Sequence, residues 1–135
     1  MPAKPKIPLE ELSHQIDGLC NILDIYIKNR THVEDGEFKE KIYRARAEIA
    51  RHRLTSNPGH DHGEYESYQG TLKDAELDLN TAYNLAGLAF SGIAEVAKKD
   101  PNKTLEEVKG LLRGAKEKVD EASGSKAYKG HHQDH

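Results

Sequence analysis

The stretch YESYQGTLKDAELDLNTAYNLAGLAFSGIAEV, residues 65–96, decides the fold. Its apolar positions are Tyr65, Tyr68, Leu72, Ala75, Leu79, Ala82, Ala86, Ala89, Ile93 and Val96. They recur at alternating intervals of three and four residues, a spacing that only a long α-helix lays along one face. Three other segments carry the same pattern: Leu9, Leu12, Ile16, Leu19, Leu23 and Tyr26; Phe38, Ile42, Ala45, Ile49 and His52; Leu105, Val108, Leu112, Ala115, Val119 and Ala122. Four amphipathic helices joined by short links predict an all-α fold, an up-down antiparallel four-helix bundle with one long third helix.

Breaker residues set the boundaries. Pro2, Pro5 and Pro8 make residues 1–7 an extended N-terminal arm, with Pro8 opening a first helix that runs to about Arg30. The second helix follows Asp35-Gly36 and stops near Leu54, before Thr55-Ser56-Asn57-Pro58-Gly59. Asp61 with Glu64 resembles a capping box and starts the third helix near His62, for a length of about 35 residues, roughly 52 Å. Gly70 opposes that start by about 1 kcal/mol. A second capping box, Thr104 with Glu107, opens the fourth helix, which ends at Ser123-Gly124-Ser125. The bundle is therefore expected over residues 8–123, and residues 124–135 as a mobile, histidine-rich tail.

At 135 residues the chain is one domain, able to bury roughly two thirds of its unfolded surface. Charged residues make up 32%, yet the net charge is only -3, so an electrostatic partner must be read by a local patch. One cysteine, Cys20, excludes an internal disulfide and reads as a core thiol. Neither a signal-like apolar run nor a stretch near about 18 apolar residues occurs, which points to a soluble cytoplasmic protein with no membrane partner.

Function has to be sought in the faces left over once the four seams are buried. On the third helix Leu77, Thr81, Leu85, Leu88 and Gly92 lie away from the seam, and an unpartnered leucine stripe there predicts a homodimer face or a helix central to the bundle. Tyr43, Ala47, Ala50 and Leu54 form a comparable strip on the second helix. The expected function is thus a non-enzymatic protein-protein interaction module, homodimeric, with Leu77, Leu85, Leu88, Tyr43 and Leu54 at the contact and any further protein partner unidentified. Lys39, Arg44, Arg46, Arg51 and Arg53 flank the second strip. They support the alternative of a nucleic-acid-binding or nucleoprotein subunit, with the cations on phosphates and Tyr43 stacked on a base. Glu37, Glu40 and Glu48 are placed to neutralise them locally. Gly110 and Gly114, four apart on the fourth helix, suggest a close approach to that backbone.

A third alternative is metal binding by His60 and His62 in the central loop and by His131, His132 and His135 at the C-terminus. Imidazole suits zinc, nickel or copper, but a defined site needs three or four ligands in fixed geometry, which a mobile tail cannot supply alone. His52, on the second seam, is expected to be a partly buried, hydrogen-bonded side chain. Arg46 and His52 resemble the arginine-histidine pair of the all-helical HEPN ribonucleases, a likeness that would imply RNA cleavage. On a continuous helix the two point about 120° apart, and the polar residue usual after the arginine is absent. With no phosphate loop and no activated nucleophile, neither enzymatic activity nor a cofactor is expected.

Overall fold

The computed structural model describes residues 4–29, 35–56, 62–91 and 101–128, and four helices account for nearly all of these described residues. They are α1 (Leu9–Asn29), α2 (Asp35–Thr55), α3 (His62–Ser91) and α4 (Pro101–Ser123). The fold is the expected all-α up-down bundle, and α3, with 30 residues, exceeds its partners of 21, 21 and 23. Ile93 and Val96, the end of the third seam, lie outside the described residues, as does Asp61.

Local signals explain the helix ends. Pro8 stands just before α1 and its carbonyl accepts the first helical bond from Leu12 N–H at 3.0 Å. Glu10 and Glu11 then complement the positive end of α1, and Lys28 the negative end. The fourth helix starts at Pro101, earlier than the Thr104-Glu107 box predicted. Proline suits a first helical position because its fixed φ is already helical and its missing N–H would have no partner there.

Every apolar position on the seams of α2 and α4 is buried, as are Leu9, Leu12, Ile16, Leu19 and Leu23 on α1 and Tyr68, Leu72, Ala75, Leu79, Ala82 and Ala86 on α3. Tyr26 packs against Phe90 at 5.7 Å between ring centroids, and Phe38 against the same ring at 5.9 Å, closing one end of the core. Tyr128 closes the other. It is 4% exposed, stacks on Tyr68 at 6.3 Å, meets the edge of His52 at 5.8 Å and accepts a hydrogen bond from Leu9 N–H at 3.1 Å. The packed fold therefore continues past residue 123, and the tail expected from residue 124 is docked as far as Tyr128. Residues 129–135 are outside the described set.

Helix neighbours run α1–α4–α3–α2, with the α1–α2 contact sparse. The expected α1–α2 hairpin is antiparallel but not zipped. Gln15 and Gly18 on one side and Lys41 and Arg44 on the other stand among the facing residues and interlock poorly, beside the apolar Leu12, Leu19, Ile22 and Ala45. A salt bridge ties α1 to α4 instead, through Asp24 and Lys109 at 2.6 Å, supplemented by a Ser13–Asp120 hydrogen bond.

Candidate functional site

Turning each helix by its buried seam places the leftover side chains. Among the described residues the exposed large hydrophobics are Ile25, Tyr43, Leu54, Leu77 and Leu88. Four of these five lie on α2 and α3, which pack side by side. Leu85, also expected at the contact, is half-buried and packed against the core. Three residues before Leu88 and seven after Asp78, it turns toward α4, where Asp78 meets Lys118. The stripe opposite the seam is therefore narrower than the sequence suggested.

The five cations of α2 do not form one track. Arg44 pairs with Glu40 at 2.7 Å and lines the α1 side, Arg51 pairs with Glu48 at 3.0 Å, and Arg53 crosses to Glu76 of α3 at 2.5 Å. The Glu76 bond raises the Arg53 pKa and holds that guanidinium firmly charged. Lys39 and Arg46 instead cover aromatic faces, Lys39 over Tyr83 at 4.7 Å and Arg46 over Tyr43 at 5.1 Å. Tyr43 and Tyr83 lie 6.4 Å apart at a notch that also includes Gly36 and Glu40. Lys39 lies over Gly87, its ammonium 3.1 Å from where a Cβ would stand.

Glu48 and His52, one turn apart on α2, are each 2% exposed and hold the N-terminal arm. Glu48 Oε2 accepts hydrogen bonds from the backbone N–H groups of Lys6 and Ile7, both at 2.6 Å, and His52 Nε2 meets Ile7 O at 2.6 Å. A buried carboxylate requires such donors to offset its lost hydration. This cluster was not legible from helical spacing, because its partners are backbone groups about forty residues away. His52 was expected to be partly buried and hydrogen-bonded; it is hydrogen-bonded and more deeply buried than expected. Arg46 lies on a different face of α2, half-buried over Tyr43, so the pair does not converge in the manner the ribonuclease likeness requires.

His62 is exposed at the start of α3, while His60, His131, His132 and His135 lie outside the described residues. Among the described residues, no group of three or more potential ligands is placed to hold a metal ion. Burial pushes the Cys20 thiol pKa up, against the opposing charge of Arg113, and its Sγ lies 3.9 Å from Lys109 O, a setting that keeps it protonated. Of the two glycines on α4, Gly114 is approached by the Asp78 carboxylate, 3.4 Å from its Cβ position, whereas Gly110 faces open space. No described helix is long and apolar enough to cross a membrane. Comparison with family models, curated proteins and solved structures finds no match for this chain.

Proposed function

We propose that the protein is a non-enzymatic helical interaction module that self-associates through the outward faces of α2 and α3. The observation that carries this reading is the grouping of Tyr43, Leu54, Leu77 and Leu88, 52%, 55%, 57% and 43% exposed, on two adjacent helices. Apolar side chains gathered on one side of a small domain are a liability unless covered. A two-fold contact covers the same patch on both copies at once, with the cations over Tyr43 and Tyr83 at its margin. A reducing compartment suits the one free, buried thiol.

Sedimentation equilibrium across micromolar concentrations tests the proposal. A dimer is expected, and Leu54→Glu with Leu77→Glu should convert it to a monomer of unchanged helicity, because both side chains face outward. A wild type that sediments at the monomer mass throughout would overturn the reading. Salt separates it from nucleic-acid binding. A single-strand affinity falling with a log-log slope of about -2 or steeper would signal three or more neutralised phosphates, and the dispersal of the α2 cations, with Arg44, Arg51 and Arg53 paired to carboxylates, argues against that result.

A further inference from the structure

The helices form an open series, α1–α4–α3–α2, and the gap between its outer members is closed at two ends. At one end Tyr26 of α1 and Phe38 of α2 share the Phe90 ring. At the other end the closure is made by the backbone of residues 6–9. Glu48 of α2 accepts the Lys6 and Ile7 N–H groups at 2.6 Å each, and His52 of α2 donates from Nε2 to Ile7 O at 2.6 Å. Tyr128 then accepts the Leu9 N–H at 3.1 Å. Each N–H of this stretch is thus taken by a side chain from a distant part of the chain, and proline stands at position 8, the one place with no N–H to satisfy.

The two ends of α1 and its two sides are held differently. Arg51 meets Glu48 Oε1 at 3.0 Å, while Oε2 is met by the two amides of the arm. Bonds to an ionised carboxylate are stronger than those between neutral groups, and a buried carboxylate that loses donors carries a desolvation cost. Away from the two closures, the polar Gln15, Lys41 and Arg44 stand among the facing residues of α1 and α2. The start of α1 therefore depends on the arm for its attachment to α2. Its attachment to α4 is separate, through Ser13 with Asp120 and, further along, Asp24 with Lys109.

We propose that residues 6–9 are a releasable strap: fastened on Glu48 and His52 they close one end of the α1–α2 gap, and freed they let the first turns of α1 part from α2 while α3 and α4 stay packed. The N-terminal arm is thereby the control point at which the bundle opens without unfolding. The strap and the outward face of α2 and α3 have no residue in common, so strap release and self-association can fail separately.

Amide hydrogen exchange of the full chain, read residue by residue by NMR, tests the strap, because exchange in a helix reports how often that turn opens. Lys6 is exposed, so Lys6→Pro deletes one backbone donor of the strap with little other change, and Lys6→Ala keeps the donor. Amides of residues 12–16 should exchange about tenfold faster or more in Lys6→Pro, the value of one charge-assisted hydrogen bond. In Lys6→Ala they should stay within about twofold of the wild type, and so should the amides of α3 and α4 in both variants. Glu48→Gln should speed residues 12–16 as Lys6→Pro does, and the two substitutions together should give less than the product of their separate effects, since both act on the same bond. Exchange at residues 12–16 that is equal in Lys6→Pro and Lys6→Ala, an equal rise across all four helices, or fully multiplicative effects of Lys6→Pro and Glu48→Gln would each overturn the proposal.

Discussion

Tyr128 shows how much one side chain outside the helical pattern can contribute. It is the only Phe, Trp or Tyr after Phe90, in a segment otherwise rich in lysine, serine and histidine, and no periodicity assigns it to a core. Three features nevertheless bury it: the stack on Tyr68, the edge contact with His52 and the bond from Leu9 N–H. Burial also raises the Tyr128 pKa, with the Leu9 bond acting against the shift, and burial with the neighbouring Tyr128 raises that of Tyr68. Tyr128→Ala is therefore expected to cost about 3 kcal/mol, the usual loss for a buried aromatic. Urea denaturation measures it, and a change below about 0.5 kcal/mol, the scale of an unpacked surface substitution, would show that the residue does not anchor the bundle. Removal of the chain from Lys126 onward should destabilise by a similar amount.

Helix by helix, propensity and packing pull in different directions. Gly70 and Gly110 interrupt α3 and α4, yet each helix runs through its glycine because the seam on either side is buried. Neither position has a neighbour within 4 Å of a Cβ. Replacing each by alanine should thus raise stability by about 0.5–1 kcal/mol per site, read as a higher thermal midpoint. Gly114 provides the contrast, since its added methyl meets the Asp78 carboxylate and the gain there should be smaller. A loss of stability at Gly70 or Gly110 would mean that a partner, in place of solvent, covers that face.

Across the whole molecule, α1 is held mainly by α4, so the links between those two helices should govern the response to acid. The hydrogen bond from Lys109 holds the Asp24 carboxyl below its usual range. Burial alone would raise Asp120, but hydrogen bonds from Lys116 and Ser13 outweigh it and lower its pKa. Both folded-state pKa values thus lie below the unfolded ones, and the unfolded chain binds more protons in acid. The stability these groups contribute is present above the unfolded carboxylate pKa, about 4, and is lost as pH falls through the folded values. Urea midpoints should accordingly drop below about pH 4, and the gap between wild type and Asp120→Asn should narrow over the same interval. A gap that is constant with pH would show that the charge of Asp120 is immaterial.

Helical period and breaker residues were enough, by themselves, to determine four helices, their buried faces and their up-down order. These are local properties, set by a repeat of three and four residues and by proline and glycine at the ends. Only the tertiary structure decided which helices zip together. Every helix carries an apolar seam, and the outcome turns also on flanking side chains such as Gly18, Lys41 and Arg44, whose effect depends on what stands opposite them. The same holds for Glu48, His52 and Tyr128. Their partners are backbone groups 41 to 119 residues distant, and a hydrogen bond to distant backbone leaves no mark in the spacing of side chains.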